Sequence, residues 1–366
     1  MVYVYFYCMI ALLFQTVTRK YRSSLVNNLF LSLCSGALAL FIAEFFLTIT
    51  GIAKTHMEQN KGYYRSHYSM QESSYRSWPP GVPHELSSSE FSYWRNTNSM
   101  GFADVEWRRN RKGNEKRIMA LGDSFTEGDG APYDSGYVSI LRQILSNSSD
   151  SFYVMNAGIC GSDPFNNYIN LKDRLLSFKP DIIIQSIGSD DMLSDIRLRG
   201  GMERFQKDST ARYRPATWWE PIYAISYVSR MLFKIAGYNE MLQTTKLSLT
   251  DKKRIDQSVE DLFQRYSLLC RQNGIKLILV FHPQEDELEA NKYNYDFTNI
   301  LHHLPVDGAI RVVDLLPSYQ AYSRKSKSNV SDYYWKSDGH HNSKGYKMMA
   351  ETTLQNIRPI LKDSLK

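Results

Sequence analysis

The segment Leu121-Gly122-Asp123-Ser124-Phe125-Thr126-Glu127-Gly128 is delivered by a short apolar run, Arg117-Ile118-Met119-Ala120-Leu121. A buried strand that ends in Gly-Asp-Ser and opens into a glycine-bearing loop holds one serine hydroxyl at the carboxyl edge of a sheet. Ligands and chemistry gather at that edge in open α/β folds. The same three residue types also build ordinary turns, so the motif alone does not choose. Three later segments bear on it: Asn156-Ala157-Gly158-Ile159-Cys160-Gly161, Gly188-Ser189-Asp190-Asp191, and Ser337-Asp338-Gly339-His340-His341-Asn342-Ser343-Lys344-Gly345-Tyr346. Serine, glycine and acid-plus-histidine elements in this order match what acyl transfer to a serine needs.

Such segments need a frame. Apolar runs suited to buried parallel strands occur at Arg117–Leu121, Phe152–Asn156, Asp181–Ile187, Ile275–Phe281 and Ile310–Leu315. Helix-like segments separate or follow them at Ser135–Leu145, Phe165–Leu176, Lys252–Gln272 and Ser343–Leu361. The third carries Ile255, Val259, Leu262, Phe263, Tyr266 and Leu269 at helical spacing and stops at Asn273-Gly274. Strand and helix in alternation predict a three-layer α/β domain around a parallel sheet of about five strands. Residues 192–250 break the rhythm and read as an insertion. It contains Trp218 and Trp219, which suit a sugar-stacking platform or an anchor to the domain equally well.

The N-terminal part follows other rules. Residues Val2–Val17 carry no charge, and Leu25–Ala53 carries only Glu44. The second run is long enough to span a bilayer, whereas the first, at about 1.5 Å per residue, falls short of a core about 30 Å thick. The basic loop Thr18-Arg19-Lys20-Tyr21-Arg22 belongs in the cytoplasm by the positive-inside rule, so the second run leads outward. Its length argues against a cleavable signal peptide. Glu44 lies toward the outer end, where its side chain is expected to reach the interface. Residues 1–54 thus read as a membrane anchor, 55–92 as an irregular linker or stalk, and 93–366 as the catalytic domain.

The net charge of +6 is modest, and the basic run Arg108–Lys112 reads as a solvated surface, so no nucleic-acid partner is expected. The four cysteines have no metal-ligand spacing and make no disulfide framework. His84-Glu85 lacks a second histidine, His302-His303 lacks an acidic partner, and His282 after the fourth strand reads as structural. Gly128-Asp129-Gly130 lacks the third glycine of a dinucleotide fingerprint. Neither metal nor cofactor is expected.

Taken together, the four segments resemble the sequence blocks of the SGNH (GDSL-type) hydrolase superfamily over roughly residues 93–361, as one expects when motifs follow the right elements. The stretch Arg95-Asn96-Thr97-Asn98-Ser99-Met100-Gly101-Phe102 resembles its membrane-anchored bacterial branch, linked to envelope polysaccharide acylation. The resemblance implies a flavodoxin-like fold with Ser124 as nucleophile and Asp338 orienting the histidine base. Counting back from Gly345 selects His340 as that base, and counting forward from Asp338 selects His341. Asn342, Gly345 and Tyr346 fit the anchored pattern with His340, which leaves His341 at the edge of the site or in solvent. The oxyanion hole implied is the Ser124 and Gly161 N–H groups plus an asparagine, but here Asp190 stands in the asparagine position. A carboxylate there donates nothing, and losing such a donor costs on the order of 3 kcal/mol. A buried, protonated Asp190, Ser189, a lid residue, or weakened catalysis would each answer this departure. The expected function is a membrane-anchored serine esterase or O-acyltransferase outside the cytoplasmic membrane. Its substrate would be an acylated carbohydrate or other ester, with a membrane-embedded partner a further expectation. The other expectation is a weakened glycan-binding or assembly protein on the same fold.

Overall fold

A computed structural model describes residues 11, 24–52, 77–81, 83–146, 152–192, 200–207, 209, 220–236, 249–298, 304 and 310–364. The chain divides into two compact units: residues 1–58 with 215–246, and residues 59–214 with 247–366. The first apolar run, apart from Ala11, and the basic loop after it lie outside the described residues.

The smaller unit begins with helix α1 (Ser24–Thr50). Its stretch Leu31–Thr50 has a mean hydropathy of 1.9 over 20 residues and is almost wholly exposed, which is compatible with a membrane span. Toward its end, the hydroxyls of Thr48 and Thr50 donate to the carbonyls of Glu44 and Phe46, so the helix satisfies them itself.

The larger unit opens with an antiparallel hairpin, β1 (Pro83–Ser87) and β2 (Ser92–Asn96). Within the stretch 55–92, read as irregular, residues 83–92 thus hold regular structure, while 55–76 and 82 lie outside the described residues. The strands are short and polar, so no alternating apolar pattern announces them; pairing and the burial of Leu86 with Trp78 hold them. Then follow β3 (Lys116–Gly122), α2 (Tyr137–Ser146), β4 (Phe152–Gly158), α3 (Pro164–Asp173) and β5 (Ile182–Ile187). Helices α4 (Glu220–Ile225) and α5 (Tyr227–Ile235) belong to the smaller unit, so the insertion is divided between the two. The chain returns through α6 (Leu249–Gln272), β6 (Lys276–Phe281), α7 (Glu285–Ala290), β7 (Ile310–Asp314), α8 (Leu316–Ser326) and α9 (Ser343–Asp363).

Strands β3 to β7 form one parallel sheet in the order β4-β3-β5-β6-β7, as the alternation of elements predicts. Alternate residues point to opposite faces. Ile118 and Ala120 of β3 meet the core under α2, α8 and α9, while Met119 and Leu121 meet the core under α3 and α6. The sheet is therefore covered on both sides, which is why its strands read as continuous apolar runs.

The strand order reverses between β3 and β5, and that switch point leaves a crevice at the carboxyl ends. Gly122 and Gly158 are register partners there. A Cβ on Gly158 would overlap the backbone of Thr126 and Glu127, so the turn beginning at Ser124 sits directly on the strand end. Gly158→Ala should cost about 1–3 kcal/mol, the usual range for overpacking. Denaturant unfolding of the purified protein checks this; an unchanged midpoint would mean the turn moves aside freely.

Candidate active site

Ser124 opens a single helical turn, Ser124–Glu127, at the end of β3. The Asp123 side chain caps it by accepting from the Phe125 N–H at 3.0 Å, and Gly128 ends it in a left-handed conformation at φ +95°. The hydroxyl of Ser124, a buried residue, lies 2.7 Å from His340 Nε2. His340 Nδ1 lies 2.5 Å from Asp338 Oδ1.

The loop that carries this pair is fixed from three directions. Glu90, at the hairpin turn, accepts from the N–H groups of Ser337 and Asp338. The Trp335 N–H donates to the His340 carbonyl, and the Trp335 indole donates to the Gly130 carbonyl. Asn342 then caps α9 by accepting from Lys344 and Gly345. Burial pulls the His340 imidazole toward neutrality, but the Asp338 hydrogen bond and charge, aided by Asp129 and Asp123, push it up to about 9.

His341 does not compete for the serine. It is buried, not at an edge or in solvent, with Nε2 3.2 Å from the Tyr319 hydroxyl and Nδ1 3.2 Å from the Tyr333 carbonyl. A β-bridge to Tyr334 turns its ring inward, so consecutive histidines face opposite ways. Burial lowers it to about 3, and His282 is lowered likewise. The Phe125 ring stands between His282, His340 and His341, with centroids 4.8, 5.1 and 5.3 Å away.

Ser124 and Gly161, expected to supply oxyanion donors, lie at the ends of β3 and β4. The Ser124 N–H heads the helical turn, where no intrahelical acceptor exists, and bonds to no described residue. Gly161 follows β4 at φ +64° in a turn closed by the Ser162 N–H to the Ile159 carbonyl. Buried Glu127 ties both loops together: one oxygen accepts from the Cys160 N–H at 2.6 Å, the other from the Trp78 indole at 2.7 Å. Buried Arg95 donates to the carbonyls of Glu127, Gly128 and Ala131 and pairs with Asp129. Burial, reinforced by Asp129, raises the Glu127 carboxyl, and Arg95 pulls against it. Arg95 and Glu127 fall within segments singled out in the sequence and Trp78 does not, but nothing in the sequence joins the three, because they meet only through the fold.

Asp190 lies after β5 as expected, but it is exposed and its carboxylate accepts from the Gln284 side-chain amide at 2.7 Å. Asp190 is therefore not the buried residue that the first answer to this departure supposes. Ser189 is buried and accepts from the Tyr295 N–H. Gln284 was not anticipated. Trp218 and Trp219 lie outside the described residues. Among the described residues, no three His, Cys, Asp or Glu side chains converge as a metal site.

A model of the GDSL-like lipase/acylhydrolase family matches residues 120–348. No curated protein matches the chain. The fold is similar to an alpha/beta hydrolase enzyme from the metagenome of Lake Arreo (14% identity, 68% of this chain and 96% of that one, TM-score 0.40). It is also similar to a lipase/acylhydrolase from Enterococcus faecalis (13% identity, 67% and 96%, TM-score 0.39). A third similar structure is a lipolytic G-D-S-L family member from Veillonella parvula (14% identity, 66% and 97%, TM-score 0.38).

The His340 geometry has a direct readout. In an imidazole NMR titration, His340 should titrate near 9, well above an ordinary histidine. Asp338→Asn removes the principal group that holds the proton, so the midpoint should fall. A wild-type midpoint at the ordinary value would break the proposed coupling.

Proposed function

The chain belongs to the GDSL-like lipase/acylhydrolase family, and from that premise we propose that it is an ester hydrolase working through an acyl-serine at Ser124. One observation carries the reading: Ser124 Oγ, both ring nitrogens of His340 and Asp338 Oδ1 form a hydrogen-bonded series at 2.7 and 2.5 Å.

On this reading the reaction starts from the neutral fraction of His340, which grows as pH rises toward about 9; there Asp338 holds the Nδ1–H and Nε2 is left to accept the Ser124 proton. The serine oxygen attacks the ester carbonyl while the N–H groups of Ser124 and Gly161 face the developing oxyanion. His340 then gives its proton to the departing alcohol, and the acyl group stays on Ser124. Water, deprotonated by His340, attacks the acyl-serine and frees the acid and the serine. A sugar hydroxyl entering in place of water gives O-acyl transfer by the same steps. Helix α1, read as a membrane span, supports an anchored enzyme whose larger unit works outside the cytoplasmic membrane. The resemblance to the envelope branch supports acyl, foremost acetyl, esters of glycans as substrates.

The full-length protein in detergent should hydrolyse p-nitrophenyl acetate, and Ser124→Ala should lower kcat by roughly 10⁴-fold or more. Equal background rates for wild type and Ser124→Ala, in folded protein, would favour the binding-protein reading instead.

Asp190→Asn restores an amide where the family has one, so kcat should rise by about 10-fold to 10²-fold. A fall in kcat would mean that the Asp190–Gln284 pair itself serves the reaction.

A further inference from the structure

The smaller unit contains a joint that is built to work away from water. Glu44 is the one acidic or basic residue of α1. Its carboxylate accepts from the Ser226 hydroxyl at 2.9 Å and the N–H groups of Tyr227 at 2.5 Å and Val228 at 2.9 Å. Tyr227 and Val228 begin α5, so these N–H groups have no acceptor within their own helix. Ser226 completes the cap by accepting from the Ser229 N–H. The expectation that Glu44 reaches out to the interface is thereby replaced: its oxygens are hydrogen-bonded within the unit.

The rest of the hairpin follows the same rule. Arg230 is buried, with Nε donating to the Tyr223 carbonyl at 2.8 Å and its guanidinium 4.6 Å over the Tyr227 ring. The apolar side chains do the opposite. Ile222 and Ile225 share one face of α4, and Leu232 and Ile235 one face of α5, by their spacing of three. All four are exposed, Ile225 at 81% and Ile235 at 76%. In an aqueous setting most of this apolar area would stay in contact with water. The apolar surface of α1 is bare in the same way, and it belongs to the same compact unit.

We infer that α4 and α5 form a lipid-facing hairpin, docked on α1 through Glu44 and embedded in the outer leaflet of the bilayer. The inference rests on the proposal that α1 spans the membrane. Glu44 stands six residues before Thr50, about 9 Å inside the outer helix end at 1.5 Å per residue. At that depth the backbone groups of a helix start must find protein partners, because lipid offers none. The carboxylate of Glu44 and the hydroxyl of Ser226 supply them. The occupant of the bare face is thus lipid, the solvent that α1 already requires.

The test uses the full-length chain in phosphatidylcholine vesicles, with Cys8→Ala and Cys34→Ala to clear the reactive background; Cys160 and Cys270 are buried. Single cysteines at Ile225, Leu232 and, as a control on α6, Leu268 are labelled with an environment-sensitive fluorophore. Nitroxide on the lipid acyl chains should quench roughly half the emission at positions 225 and 232 and spare 268. Glu44→Ala should abolish that quenching at 232 while the protein still resists alkaline carbonate extraction. Quenching by aqueous iodide at 225 and 232 would overturn the hairpin and leave the anchor intact. Protection from both quenchers would assign the face to a second copy of the chain and overturn it as well. Unchanged quenching in Glu44→Ala would overturn the docking role. Extraction of the unmutated protein by carbonate would instead sink the membrane reading on which the inference stands.

Discussion

The buried carboxylate of Glu127 is the constraint on which the site depends. Its two oxygens are committed in different directions, one to the loop that carries Gly161 and one to the Trp78 indole. Its backbone carbonyl takes a third partner, Arg95, which also binds the next carbonyls along the turn. A carboxylate removed from water is costly unless it is paired and hydrogen-bonded. That cost makes the arrangement selective: the carboxylate is satisfied only when the serine turn, the glycine loop and the N-terminal wrap are all in place. The turn at Ser124 therefore inherits its order from a group one helical turn away.

The sheet was legible because its strands are buried on both faces. Expected and observed strands differ by two residues or fewer at each end, and the helix from Leu249 to Gln272 differs by three at its start. The hairpin from Pro83 to Asn96 was not legible, since its residues are mostly polar and its strands are held by pairing with one another. The short helix α7 hid for a similar reason. Its stability comes from a capping box between Gln284 and Glu287, and not from an apolar stripe.

The site divides along the same line. Ser124, Asp338 and His340 sit in motifs at strand and helix ends, where spacing constrains chemistry, and the fold brings them together. The choice between the two histidines turned on Asn342 and Gly345, which cap and open α9 and so set the phase of the loop before it. Sequence spacing could not show that His341 is buried among tyrosines, because those rings arrive from α8, α9 and the loop between them. Nor could it show Gln284 beside Asp190, since the pair is separated by 94 residues and joined only by strands β5 and β6 lying side by side.

Ser124 and His340 are 216 positions apart, with four of the five sheet strands between them, and they meet only at the finished carboxyl edge. Closing so long a loop is the slow part of building a parallel sheet. The histidine loop precedes α9, whose apolar face packs into the core on β3, β6 and β7, so this last large element must dock before the serine has its partner. A chain emerging in order from the ribosome consequently carries Ser124 without its histidine neighbour until nearly all of it has been made. The contact between Ser124 and His340 is thus a late event of folding, made only when the C-terminal helix has found its place.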